Sequence, residues 1–370
     1  MQQNSLLCLR IGALGLLTLT TATTARAADK SFIGNFNTVD TVSTTMPADN
    51  DVNPYGVTRV PRTTGSLVAG NFLISNFNDS DNFQGTGTTV VQIAPNGGFS
   101  LFAQIDPTKV SCPGGIGLTT ALVALRSGFV IVGSLPTSNQ GTNFTGPGCL
   151  IVLDSNGNVA ETFSGHNLNG PWDMTAVDGG FIAALFVTNV LNGNVTSAGG
   201  AVVNKGTVAR LLLFIPEGRA PILLDSSVVA SGFPERTDPA ALIIGPTGVA
   251  FDDETGNLYV ADSLDNRIAA IPDALFRWHS AGTGHTVTQG GALNDPLGLA
   301  LAPDHHILTA NGDDGNIVET NPFTGKQVAV KLVDNTGGPP PGSGALFGLI
   351  AASSGVYFVD DASNTFNLLH

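Results

Sequence analysis

Charged residues are scarce in this chain, and most of them are acidic. Only 12% of the 370 residues are charged, and 15 basic residues against 29 acidic ones give a formal net charge of −14. This balance argues against nucleic acid or an anionic membrane surface as a partner. With 42% hydrophobic residues, the chain is also too apolar to be disordered.

Long hydrophobic runs are lacking beyond the N-terminus. Arg10 precedes a short apolar run at 11–19, and Ala25-Arg26-Ala27 has the small-residue pattern of a secretory cleavage site. The run is too short to span a membrane as a helix. We therefore predict that residues 1–27 are a signal peptide. Residues 28–370 are then one exported, soluble domain, either periplasmic or extracellular.

Familiar catalytic motifs are missing as well. The sequence contains no Gly-x-Ser-x-Gly, His-Glu-x-x-His or phosphate-binding loop. The acidic stretches 252–256 and 313–316 lack the spacing and the terminal glutamate of an EF-hand. No recognisable catalytic constellation is present, and the motifs favour a protein that is not an enzyme.

Glycine, in contrast, is abundant, with 46 residues. Short apolar runs alternate with clusters of Gly, Asn and Asp, which is typical of strands separated by turns. The pattern is clearest at 245–271, which includes the segments Pro-Thr-Gly, Gly-Asn-Leu-Tyr-Val-Ala-Asp and Asp-Asn-Arg. These segments predict three successive strands.

This stretch resembles an NHL repeat, the unit of one family of β-propellers. Similar openings recur at 54–56, 113–115, 171–173, 246–248, 296–298 and 346–348. Asp173 stands where the third opening should have glycine, and Leu346 replaces proline in the sixth. Six repeats predict an all-β fold, a six-bladed propeller of four-stranded antiparallel blades.

The sixth repeat stops after its third predicted strand, at 365–369. Because unpaired sheet edges invite aggregation, we expect an N-terminal strand at 31–36 to pair with the last blade and close the ring. The alternative is a seven-bladed ring with a degenerate blade between Val190 and Gly245.

Cys112 and Cys149 are the two cysteines beyond the predicted signal peptide. An exported protein meets oxidising conditions, in which two cysteines can form a disulfide. In the predicted layout they open the first and third strands of the second blade. Two buried thiols are the alternative, because such strands lie about 10 Å apart and loops would have to close the gap.

Polar side chains flank the predicted mouth of the central channel, where first strands begin. The candidate ligand-binding residues are Asn53, Tyr55, Asn169, Trp172, Asp173, Asn294 and Asp295. Oxygen-bearing side chains suit Ca²⁺, so Asn53, Asn169 and Asp295 are candidate metal ligands and calcium a candidate cofactor. Long loops at 77–87, 135–148 and 187–206 are predicted to surround the same mouth.

The resemblance implies a binding scaffold, since many NHL propellers contact proteins, peptides or glycans. This step is analogy from fold to function. We expect a monomer whose mouth binds an unknown protein, peptide or glycan. One alternative is a calcium-dependent hydrolase, lactonase or lyase, as in some six-bladed relatives, although no glutamate opens a first strand here. A structural module of the cell envelope is another alternative.

Overall fold

Twenty-seven strands make up nearly all the regular structure of the computed structural model, counted over the residues that it describes: 30–138, 143–192, 200–238, 242–336 and 338–370. The predicted signal peptide, 1–27, lies outside these residues. Residues 31–370 form one unit. No helix in the described ranges is long and apolar enough to cross a membrane.

The strands form six antiparallel blades. Strand β1 (Val39–Thr44) belongs to the last blade. Blade 1 contains β2 (Val52–Arg59), β3 (Phe72–Asn78), β4 (Thr89–Ile93) and β5 (Phe99–Gln104). Blade 2 contains β6 (Leu118–Ala124), β7 (Val130–Ser134), β10 (Cys149–Leu153) and β11 (Val159–Ser164). Between β7 and β10, the short strands β8 (Thr137–Ser138) and β9 (Asn143–Phe144) form a separate two-stranded sheet.

The remaining blades follow in chain order. Blade 3 contains β12 (Gly170–Asp178), β13 (Ile182–Val190), β14 (Val203–Phe214), β15 (Ile222–Asp238) and β16 (Leu242–Ile244). Blade 4 contains β17 (Pro246–Phe251), β18 (Leu258–Asp262), β19 (Arg267–Ile271) and β20 (His285–Gln289). Blade 5 contains β21 (Pro296–Leu301), β22 (Ile307–Asn311), β23 (Asn316–Thr320) and β24 (Gln327–Leu332). Blade 6 contains β25 (Leu346–Ala352), β26 (Gly355–Asp360) and β27 (Thr365–Leu369) beside β1.

The predicted six-bladed propeller is confirmed, and the N-terminal strand does close the ring. The closing strand is not 31–36, however, but β1, whose Val39 pairs with Leu369 and whose Thr44 pairs with Thr365. The apolar residues of 31–36 are used differently, because Ile33 is fully buried between blades 5 and 6. The apolar residues at 31–36 indicated a segment that is buried and not the outer strand of the blade. The outer strand, β1, is mostly exposed.

The alternative of a seventh blade between Val190 and Gly245 is wrong. The described residues of this region instead extend blade 3, through the 17-residue strand β15 and the short β16. The excess length therefore enlarges one blade, and its short strand β16 packs into the hydrophobic cluster at the channel mouth.

The predicted opening of blade 2 is displaced by a few residues. Residues 113–115 lie in a turn, and β6 begins at Leu118, which pairs with Ser134. In blade 1, Pro54 pairs with Asn76 in the same way. Leu118 is therefore the counterpart of Pro54. Strand β6 then carries one extra residue, because Leu122 pairs with Val132 as Val57 pairs with Ile74, so Ala121 is the counterpart of Gly56.

Cys112 and Cys149 form a disulfide, with their Cα atoms 5.5 Å apart. Cys112 lies in the loop before β6 and not within the strand, so the loop closes the gap expected between strands. The bond spans 37 residues. On the chain-entropy account we expect the double replacement by serine to lower the free energy of unfolding by about 3–4 kcal/mol. Urea unfolding measures this, and an unchanged midpoint would contradict it.

Candidate functional site

The predicted channel mouth is filled by an apolar plug. It consists of Tyr55, Phe77, Leu135, Trp172, Leu242, Ile243, Leu297 and Phe347, together with smaller neighbours. The ring centroids of Tyr55 and Phe347 are 3.7 Å apart, and those of Trp172 and Phe347 6.5 Å. Trp172 and Phe347 come from blades 3 and 6, on opposite sides of the ring. Their stacking therefore crosses the channel axis.

Strand β16 completes the plug. The indole Nε1 of Trp172 donates a hydrogen bond to the carbonyl oxygen of Ile243, at 2.9 Å. Trp172 is 4% exposed and Tyr55 only 2%. The structure therefore places these two candidate ligand-binding residues inside the core, where no ligand at the mouth reaches them without repacking.

The three candidate calcium ligands lie where the first strands of blades 1, 3 and 5 begin. Asn53 and Asp295 have left-handed backbones, with φ of 58° and 51°, which asparagine and aspartate tolerate in turns. The amide N–H of Asn53 donates to Asn364, and that of Asp295 to Asn266. The Nδ2 of Asn169 donates to the side chain of Asn192.

Each of these residues is thus held by its own neighbouring loop. The calcium site stays a prediction. Asn294 is half-buried beside Asp295, and its carbonyl accepts a long hydrogen bond from the amide N–H of Asp313.

Several buried carboxyl groups have raised pKa values. Burial is the main cause in each case, and it raises the pKa of Asp295 to about 7, of Glu235 to about 8 and of Asp262 to about 6. The carboxylates of Asp313 and Asp238 raise the pKa of Asp295 further. At a pH between the ordinary carboxyl pKa and these raised values, the three groups are ionised in the unfolded chain but protonated in the folded chain.

This difference sets the pH dependence of stability. Between about pH 4 and pH 8 the unfolded chain binds fewer protons than the folded chain, so stability falls as the pH rises. We expect the Tm to decrease steadily over this range at fixed ionic strength, and Asp295→Asn to flatten the slope. The lowered pKa values of Asp106 and Asp154 act below this window. A Tm that increases with pH would contradict the expectation.

Below the plug, six equivalent positions form a ring around the channel. They are Gly56, Ala121, Asp173, Gly248, Gly298 and Gly348. The glycines allow neighbouring inner strands to touch: a Cβ atom on Gly298 would lie 2.0 Å from the carbonyl oxygen of Phe347, and one on Gly348 2.3 Å from that of Tyr55. Of these six residues only Ala121 and Asp173 carry side chains, and Thr120 directly precedes Ala121.

A cavity of about 330 Å³ occupies the channel beyond this ring. Its walls are the second halves of the six inner strands, such as Leu122–Ala124, Thr175–Ala176, Val249–Phe251 and Leu299–Leu301. The channel therefore opens on the face opposite the predicted mouth. Thr120 and Asp173 both line it, so they face a space that is large enough for a small ligand.

Asp173 is the carboxyl group nearest the sealed end of this cavity. Its Oδ1 accepts a hydrogen bond from the amide N–H of Met174, at 2.8 Å, and its Oδ2 one from that of Val249, at 3.1 Å. These bonds tie blade 3 to blade 4 and fix the carboxyl group. Burial raises the pKa of Asp173 to about 7, although the two backbone bonds oppose the shift.

The hydroxyl of Thr120 is buried and has no hydrogen-bond partner among the described residues. Together with Asp173 it gives the channel one carboxyl group that titrates near neutrality and one uncommitted hydroxyl. The sequence signalled Asp173, since it breaks the Pro-x-Gly pattern. Thr120 was missed because the opening of blade 2 was placed at 113–115.

Comparisons with known proteins define the fold only. No protein-family model and no curated protein matches the chain. The structure resembles virginiamycin B lyase from Staphylococcus aureus (11% identity, 90% of this chain, 98% of the other, TM-score 0.51) and a gluconolactonase from Xanthomonas campestris (12%, 90%, 88%, 0.52). It also resembles a luciferin-regenerating enzyme (10%, 90%, 95%, 0.50). The chain thus has the six-bladed propeller fold, and membership of the NHL family is not established.

Proposed function

We propose that the protein is an enzyme that hydrolyses or eliminates a small polar molecule bound in the channel, with Asp173 as the general base. The observation that carries the proposal is a fixed carboxyl group with a pKa of about 7 in the wall of a ligand-sized cavity. A general base works best when its pKa lies near the working pH. Perturbed carboxyl groups in clefts are typical of active sites.

In this proposal each of the two side chains has a task. The ionised carboxylate of Asp173 would take a proton from a water molecule that attacks an ester or lactone, or from a carbon beside a carbonyl group. The hydroxyl of Thr120 would donate a hydrogen bond to a substrate oxygen. Apolar residues of the channel wall, such as Leu122, Val249 and Leu299, would keep bulk water away and strengthen both interactions.

The structural neighbours support this class of function. A lyase and a gluconolactonase share the fold over about nine-tenths of the chain. Calcium held by Asn53, Asn169 and Asp295 is not part of the proposal, because none of these residues lines the channel cavity. No step is assigned to a metal ion.

The test is turnover by the purified chain of a lactone panel and of substrates with an acidic carbon next to a leaving group. We expect kcat/KM to rise with pH and to level off above about pH 7, and to persist after chelation. Turnover of neither class would sink the proposal. A profile that is flat across neutral pH would remove Asp173 as the base.

A binding scaffold is the second candidate, and the acidic loops of the plugged face favour it. Asp81, Asp106 and Asp265 are exposed there. Such a surface would attract a cationic partner through long-range, salt-sensitive forces. Binding of an oligolysine peptide that weakens steeply with salt, without any turnover, would support this function over the enzyme.

A further inference from the structure

A second cavity, of about 380 Å³, lies on the same face as the open end of the channel. It is formed by turns of blades 1, 2 and 3, and its wall includes Arg62, Arg126, Phe129, Phe181 and Ile215. Its size is within the range of small-molecule sites. It shares no lining residue with the channel cavity that contains Thr120 and Asp173.

Two cationic side chains in this wall have no partner. In the part of the chain that the structure describes, neither the guanidinium of Arg62 nor that of Arg126 forms an ion pair or a hydrogen bond. Acidic residues outnumber basic ones by 29 to 15 in this protein, so two uncommitted arginines in one cavity are unusual. Solvated surface arginines would be the simple explanation.

A third polar group argues against that explanation. Ser127 also lines the cavity, and its Oγ is buried without a hydrogen-bond partner among the described residues. A buried hydroxyl without a partner costs free energy unless a ligand or water satisfies it. The cavity lining therefore contains two cations and one unsatisfied hydroxyl, besides the carboxylate of Glu217.

The walls are held in place by Asp178. Its Oδ2 accepts a hydrogen bond from the amide N–H of Arg126, at 2.6 Å, and its Oδ1 one from that of Gly180, at 2.8 Å. The turn that carries Arg126 is thus fixed to the turn that carries Phe181. A preorganised site of this kind loses less entropy when it binds a ligand.

The opposite wall is apolar. Ile215 is buried, Phe129 is half-buried, and Phe181 is 67% exposed. We propose that this cavity binds a small organic carboxylate with an apolar or aromatic body. Arg62 and Arg126 would pair with the carboxylate through charge-assisted hydrogen bonds, and Phe181 would cover the body. This site does not depend on the proposed reaction in the channel.

Glu217 allows a test of whether the ligand of this cavity is an anion. It lines the same cavity from the turn after β14, where its carboxylate would repel an anion. Glu217→Gln should therefore tighten binding, whereas loss of an arginine should weaken it. Arg219 lies two residues further along the same turn but outside the cavity wall, and so Arg219→Ala is the matched control.

The experiment is calorimetric titration of 3-phenylpropionate, with its uncharged amide as the comparison ligand. We expect the carboxylate to bind with a Kd on the order of 1 mM or tighter, and the amide to bind at least about tenfold more weakly. Arg126→Ala, Arg62→Ala and Phe181→Ala should each weaken binding, Glu217→Gln should tighten it, and Arg219→Ala should leave it unchanged. Thermal melts show that each variant is folded.

Three results would overturn the proposal. The first is no binding of 3-phenylpropionate by the wild-type chain. The second is equal binding of the carboxylate and its amide, since the arginines would then play no part. The third is an Arg219→Ala variant that binds as weakly as Arg126→Ala, which would indicate general surface charge instead of a site.

Discussion

Replacement of Asp173 by asparagine is expected to lower kcat/KM by about 10²–10⁴-fold above neutral pH, the usual contribution of a general base. Asparagine has nearly the same shape, and its amide oxygen can still accept a hydrogen bond from the amide N–H of Val249 or Met174. It cannot take a proton. The fold should therefore survive while the reaction does not, as thermal melts and initial rates on the same samples would show.

Asp295→Asn is the matched control for this prediction. Asp295 is also a buried carboxyl group with a pKa of about 7, but it lies on the plugged face and does not line the channel. We expect it to change stability and to leave kcat/KM unchanged. If Asp295→Asn abolished turnover and Asp173→Asn did not, the reaction would belong to the plugged face and the proposed site would be wrong.

The dependence of kcat/KM on pH distinguishes loss of the titrating base from a structural effect of the substitution. Ionisation of Asp173 predicts that wild-type kcat/KM rises about tenfold per pH unit well below the pKa and levels off above it. The residual activity of Asp173→Asn should lose this rise. Thr120→Val removes a hydrogen-bond donor but no titrating group, so it should lower kcat/KM and leave the midpoint in place.

Much of the fold could be predicted because its signals are local. Gly, Asn and Asp turns mark the ends of strands within a few residues, and the Pro-x-Gly openings recur because inner strands approach so closely that a Cβ atom on Gly298 would lie 2.0 Å from a carbonyl oxygen. The same contact explains why Asp173 was informative. A side chain at that position meets the next inner strand, and Asp173 bonds there to the amide N–H of Val249.

The plug could not be predicted, because it depends on contacts across the ring. Nothing near Trp172 in sequence indicates that it stacks with Phe347, which is far away in the chain and in the opposite blade. Trp172 and Asp173 are neighbours, yet one enters the plug and the other lines the channel. The sequence predicted both residues at an open mouth. It located the end of the strand correctly, but it did not indicate that the channel is closed at this end.

Replacement of Glu319 by glutamine is expected to lower the free energy of unfolding by about 3–5 kcal/mol, the cost of breaking a buried charged interaction. Glu319 is fully buried in β23. Its Oε2 accepts hydrogen bonds from the Oγ of Ser31, at 2.6 Å, and the amide N–H of Ile33, at 2.9 Å. Its Oε1 is bonded to the amide N–H of Phe32 and to the Nδ1 of His306.

In the glutamine variant an amide NH₂ group would replace one of the two carboxylate oxygens. This group cannot accept the hydrogen bonds that the lost oxygen accepts, so at least one donor would face another donor. Ser31→Ala removes only one of these bonds and should cost about 1 kcal/mol, which makes it the graded comparison in urea unfolding. An E319Q chain within about 1 kcal/mol of wild type would contradict the prediction.

The carboxylate of Glu319 matters because the closing strand β1 has few stabilising contacts of its own. Strand β1 is mostly exposed, so it buries little apolar surface, and its contacts are chiefly the backbone ladder to β27. The segment before it is fixed by Ile33, buried between blades 5 and 6, and by Glu319. In a chain that lacks residues 28–36 the three donors of the N-terminal segment are gone and His306 remains as a partner, so Glu319→Gln should cost much less than in the full chain. That smaller loss would show that Glu319 stabilises the ring mainly through the N-terminal segment.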